Sequence, residues 1–213
     1  MKRTKLAFIV LALLVGAVIA VSSAAGFTGH KPPPGQHGKA GTNATMRWDI
    51  ISVNFATGTL SAGGQASALA NDGSKITLTG SGTFHSNPGK PQAVSGGGNW
   101  TTFASGGTTV TGSGSYSVSG FVSFTLAPGT PPLPHDTIGN LADNRAGLLV
   151  VRIHYSDGSD GTLTVSCHLV GTPDSVFEGV TATKGFVDYW NRVAPVANVD
   201  GNRTTFHVLH SSH

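Results

Sequence analysis

The chain reads as an all-β protein, a single antiparallel β-barrel of about eight to ten strands, with a β-sandwich as the alternative. Three observations carry this. Only 11% of the 213 residues are charged, against about a quarter in ordinary globular chains. Glu178 is the sole glutamate, and surface helices draw on Glu, Lys, Leu and Ala. Runs rich in Thr and Val, punctuated by many of the 30 glycines, have the residue preferences of strands and turns.

The first stretch precedes any fold. Lys2, Arg3 and Lys5 form a positive head, Leu6 to Val21 is an unbroken apolar run of 16 residues, and Ser22-Ser23-Ala24-Ala25-Gly26 supplies small residues. This is the pattern of a secretory signal peptide over residues 1–25, shorter than the ~20 apolar residues that span a bilayer. The expected location is therefore secreted, extracellular or cell-envelope. Residues 26–45 read as a flexible linker. They carry His30-Lys31-Pro32-Pro33-Pro34 and little to bury, and three prolines impose an extended, solvated backbone. The folded domain is expected over 46–213, a length that permits a real core.

Within it, Arg47 to Phe55 alternates around Trp48 and Ile50. Gln65 to Ala70 and Lys75 to Phe84 flank Asn71-Asp72-Gly73-Ser74, a hairpin turn signal. Asn87-Pro88-Gly89-Lys90-Pro91 breaks the chain, and Val94 to Phe103 is a strand carrying Trp100. Thr108 to Leu126 is long enough for one bent strand or two. Ala127 to Asp143, with four prolines, is a long irregular connection of the kind that is often functional or disordered.

The clearest hairpin follows. Leu149, Val151, Ile153 and Tyr155 share one strand face, and Leu163, Val165, Cys167 and Leu169 share another. Pairing Ile153 with Leu163, Val151 with Val165 and Leu149 with Cys167 joins these faces, with Ser156 to Asp160 as the loop. Cys167, the only cysteine, then lies in the core as a small inert hydrophobe. Phe177 to Thr183 and Thr204 to Leu209 read as strands, while Phe186 to Val193 fits a helix face or a strand. Thr77-Leu78-Thr79-Gly80-Ser81-Gly82-Thr83-Phe84 nearly repeats as Thr109-Val110-Thr111-Gly112-Ser113-Gly114-Ser115-Tyr116. Glycines two apart on one strand face suit the corners of a small barrel, lipocalin-like in shape.

Chemistry is harder to read. Outside the basic N-terminal segments the chain is near neutral, and no basic patch interleaves with aromatics, so nucleic acid is not an expected partner. His154 and His168 share the outer face of the hairpin. In the register above they stand near 20 Å apart, too far to share a metal, and no metal or cofactor is expected. Asp157-Gly158-Ser159-Asp160-Gly161 lacks the length and closing acid of a calcium loop and reads as a turn. Asn43, Asn99 and Asn202 head glycosylation sequons.

Glu178 draws attention because acids are scarce. With Arg152 and with His154 or His168 it can form an acid–base group at a barrel mouth, or a surface ion pair. Phe186, Tyr189 and Trp190, with Trp100, suit a pocket wall or sugar-stacking platform, or a plug at one barrel end. The expected function is a secreted or envelope protein binding a small or carbohydrate-like ligand. The alternatives are a cofactor-independent hydrolase, lyase or isomerase using Glu178 with a histidine, and a structural surface protein.

Overall fold

A computed structural model describes residues 44–86 and 93–210. The signal-like segment 1–25, nearly all of the 26–45 linker, the proline break at 87–91 and the sequon at Asn43 lie outside the described residues. The strands in chain order are β1 (Thr45–Asn54), β2 (Thr59–Ala62), β3 (Ala66–Leu69), β4 (Lys75–Leu78), β5 (Ser81–His85), β6 (Ser95–Phe103), β7 (Val110–Ala127), β8 (His135–Asp136), β9 (Asn144–Tyr155), β10 (Asp160–Cys167), β11 (Gly179–Lys184), β12 (Val187–Tyr189), β13 (Asn191–Arg192) and β14 (Arg203–Leu209). One 3₁₀ turn, Leu141–Asp143, precedes β9.

Six of these strands close an antiparallel barrel: β1 pairs with β5, β5 with β6, β6 with β7, β7 with β9, β9 with β14, and β14 returns to β1. The all-β barrel expected from composition is the fold. The strand number exceeds eight to ten because predicted runs divide. Lys75 to Phe84 splits into β4 and β5 at Thr79-Gly80, where Gly80 takes a φ of 148°, yet both halves pair with β6. Phe186 to Val193 forms two short strands rather than a helix, β12 on β11 and β13 on β3. Thr108 to Leu126 is one bent strand, with register shifts at Val118/Gly120 and Phe121/Ser123. Bulges of this kind bend a strand and let it change partners.

The Asn71-Asp72-Gly73-Ser74 turn forms as expected, with Leu69 opposite Lys75. The β9–β10 hairpin corrects the expected register by two residues. Val151 faces Leu163, Leu149 faces Val165 and Gly147 faces Cys167. An even slip keeps every side chain on its face, so Leu149, Val151, Ile153, Leu163, Val165 and Cys167 are all buried. The shorter loop is favoured because Asp157 accepts hydrogen bonds from Ser159 N and Oγ and pairs with Lys184. These contacts, Lys184 first, hold the Asp157 carboxyl down at about 2.

The interior is filled. Phe84 lies 4.8 Å from Phe124 and 6.2 Å from Phe206 between ring centroids, and Trp100 meets Tyr155 edge-on at 5.8 Å. Trp48, Ile50, Tyr155 and Phe206 are fully enclosed. A barrel's width grows with strand number, and even eight strands can leave room only for side chains. Among the described residues six strands leave no hollow cup, so there the lipocalin-like shape does not extend to a lipocalin-like interior. The repeat serves this packing. A Cβ on Gly82 would sit 2.7 Å from Trp48 Nε1, and one on its counterpart Gly114 would sit 3.0 Å from Trp100 Nε1. Each copy clears a strand face for one tryptophan, and its final aromatic, Phe84 or Tyr116, enters the core.

The proline-rich connection is not a free loop. Residues 128–143 lie over the outer face of β1, β14 and the start of β9. Thr130 and Val170 exchange backbone hydrogen bonds, β8 pairs in parallel with β2, and Leu133 and Ile138 pack on Ile51, Val53 and Leu60 as a second, smaller core.

Candidate functional site

The outer face under this cover is built by strand alternation. Met46, Trp48 and Ile50 of β1 point into the barrel. Arg47, Asp49, Ile51 and Val53 therefore point outward. Cross-strand pairing sets Asp49 opposite Thr205, Arg47 opposite His207, and His207 opposite Asn144. The face is polar toward one end and apolar toward the other.

At the polar end the cover is tied to β14 and the residue after it by two Asp–His pairs. Asp136 meets His207 Nε2 at 2.6 Å, with both side chains only 1% exposed, and Asp143 meets His210 Nε2 at 2.8 Å nearer solvent. Burial alone would push the Asp136 carboxyl up. Hydrogen bonds from Ile138 N, His207 and Gly139 N outweigh it and hold the group below the usual carboxylate range. Asp49, wholly buried, receives a two-pronged bond from Arg47 with both contacts at 2.7 Å. Burial dominates there, and the Asp49 carboxyl is pushed up despite Arg47.

At the apolar end lies a cavity of about 60 Å³. Ile51, Val53, Leu60, Leu133 and Leu169 form its apolar walls, and Asn144, His168, Glu178, Arg203 and Thr205 its polar ones. Glu178 sits just before β11. Its Oε2 accepts from His168 N at 2.6 Å, and its Oε1 accepts from Thr204 N at 2.5 Å. The residue keeps some exposed surface, but its carboxyl is sunk among protein atoms, and that burial pushes it up to about 8. The two backbone N–H groups and Arg203 oppose the shift. His168 turns its ring away, with Nδ1 2.7 Å from Val176 O. A carbonyl only accepts, so Nδ1 carries the hydrogen.

The structure does not assemble Glu178 with Arg152 and His154. Those two project from the outer face of β9, where Arg152 faces Thr162 and His154 bonds Asp160 at 2.8 Å. Glu178 stands beside the Ser166–Gly179 pairing, four residues along β10 from Thr162, or about 13 Å. It reaches His168 only through that residue's main chain. Burial also pushes the Cys167 thiol well up, with the nearby Glu178 adding to it, as an inert core cysteine requires. Among the described residues no three His, Cys, Asp or Glu side chains group as metal ligands, and no helix is long and apolar enough to cross a membrane.

The aromatic candidates divide. Trp100 and Tyr189 belong to the core, and the Lys184 ammonium caps the Trp100 ring at 4.3 Å. Phe186 is 98% exposed at the β11–β12 turn, and Trp190 is 69% exposed after β12. Neither is a plug. Phe186 and Trp190 flank β12, one in the turn before it and one just after it, while Tyr189 at its end is buried. The Asp136–His207 pair and the cavity escaped sequence reasoning. The only available signal was the pairing of a proline-rich connection containing two aspartates with a chain end carrying His207 and His210.

Comparison with models of protein families, with curated proteins and with solved structures finds no match to this chain.

Proposed function

We propose that this chain is a secreted or cell-envelope binding protein that holds an extended, carbohydrate-like ligand on the edge formed by Phe186 and Trp190. The observation that carries this is the near-complete exposure of Phe186, with Trp190 four residues on also 69% exposed, in a protein that buries its other tryptophans. Their backbones, four residues apart, stand at most about 13 Å from one another, a spacing that suits successive units of a chain rather than one small molecule. Aromatic faces stack on the C–H faces of sugar rings while polar neighbours bond hydroxyls. Asp188, Asn191 and Arg192 are exposed beside them for that role. The signal-like N-terminus supports a location where such polymers are met.

An acid–base enzyme has less support. Both Glu178 oxygens are engaged by main-chain N–H groups, and no histidine ring meets them.

Fluorescence tests the binding reading directly. Trp48 and Trp100 are buried, so acrylamide quenching reports Trp190. Soluble glucans, xylans, chitin oligomers and peptidoglycan fragments are the probes. A bound glycan shields Trp190 and shifts its emission to the blue, and Phe186→Ala weakens binding about tenfold, equivalent to ~1.4 kcal/mol. Glycans that leave quenching unchanged, or bind Phe186→Ala and Trp190→Ala as well as the parent protein, refute the proposal.

A further inference from the structure

We propose that the cavity beneath residues 128–143 is a second binding site, for a short-chain carboxylate whose head lies on Arg203 and whose alkyl end lies among Ile51, Val53, Leu60 and Leu133. Three polar side chains lining the cavity carry enclosed atoms that meet no hydrogen-bond partner among the described residues: Arg203 Nε, Thr205 Oγ1 and Asn144 Oδ1. Arg203 Nε and Thr205 Oγ1 can donate to a carboxylate, whereas Asn144 Oδ1 only accepts and is not completed by one. A buried donor left unmade costs about 1–3 kcal/mol, so the first two favour an acceptor ligand.

Arg203 sets the ligand's charge. Its guanidinium lies 5.1 Å over the Phe55 ring, and Nη2 donates to Val196 O at 3.1 Å. These contacts hold the planar fork in place, and a guanidinium edge pairs two-pronged with a carboxylate. The rest of the lining sets the ligand's shape. A compact, fully hydrated anion such as phosphate needs donors all round, whereas half of these walls are aliphatic. At roughly 10–15 Å³ of such space per water-sized group the volume admits about four to six heavy atoms, which limits the occupant to a carboxylate of about two to four carbons.

Glu178 couples the site to pH. The groups facing its carboxyl are Thr204 and the main chain of His168, Arg203 and the Cys167 thiol, while Arg192 donates to its carbonyl at 3.4 Å. Held neutral below its raised value of about 8, it tolerates an anion beside it. Ionised, it repels one. Carboxylate binding is therefore full near pH 6 to 7 and lost as pH rises through about 8.

The test is titration of the folded secreted chain with acetate, propionate, butyrate and hexanoate, followed by amide NMR shifts and calorimetry. Each added methylene up to about butyrate tightens binding about fourfold, equivalent to ~0.8 kcal/mol per buried CH₂. Hexanoate gains nothing further. Arg203→Met abolishes binding. Because that change can also loosen the Phe55 contact, Leu133→Phe, which fills the cavity from the cover, is the independent variant and also abolishes it. Trp190→Ala leaves it unchanged, so failure here and failure of the glycan site are distinguishable. No saturable shift near the cavity, a gain that continues to hexanoate, or binding indifferent to Leu133→Phe overturns the proposal.

Discussion

Removing the Asp136 carboxylate leaves His207 enclosed without its partner, and breaking a buried pair from one side typically costs 3–5 kcal/mol. Asp136→Ala is expected to destabilise the fold by about 3 kcal/mol in urea unfolding. The pH dependence of stability follows from the carboxyls. Glu178 is raised from 4.5 to about 8, so the folded state holds its proton where the unfolded chain has released it. Its contribution is complete below about pH 4.5 and declines as pH rises toward 8. Asp136 is lowered, so its contribution is present above about 3.8 and lost as pH falls further. Stability should peak in mild acid and fall by a few kcal/mol, on the order of 4, toward pH 8. Glu178→Gln, unfolded in urea across the same range, should flatten that fall; an unchanged slope assigns it elsewhere. The sequence singled out Glu178 by scarcity alone. It could not show that the partners are backbone N–H groups, because those leave no mark in residue identity.

At the scale of elements, the cover depends on one small residue. A Cβ on Gly139 would stand 2.9 Å from the His207 ring, so Gly139→Ala forces residues 136–143 away from β14. Overpacking of this kind costs about 1–3 kcal/mol, and amide exchange over 130–143 should quicken more than exchange in the barrel. The β9–β10 hairpin shows what alternation can specify. Leu149, Val151, Leu163 and Val165 announced their buried face, but a period of two leaves a slip of two undecided. Asp157 and Lys184, 27 residues apart, settle it through a contact between separate elements. In the same way, Trp100 and Trp190 carry the same side chain, but Trp100 lies within β6 with its ring in the core, whereas Trp190 lies exposed where the chain leaves β11 for β3.

For the molecule as a whole, closure is the stabilising device. The single cysteine allows no internal disulfide, and the rings around Phe84, Phe206, Trp100 and Tyr155 form one continuous interior with the strands beyond β9. The barrel class was legible because glycine, threonine and the absence of helix formers act everywhere along the chain. Its solid interior was not, because the number of strands that close the ring depends on where bent strands such as β7 change neighbours. Most pairings join distant parts of the chain, so folding in milliseconds to seconds is expected in stopped-flow fluorescence. The barrel is completed by β14, its last strand in chain order, which fits between β1 and β9. A growing chain therefore holds two unmatched edges until Arg203–Leu209 has emerged. In that interval it depends on whatever shields bare strands from one another.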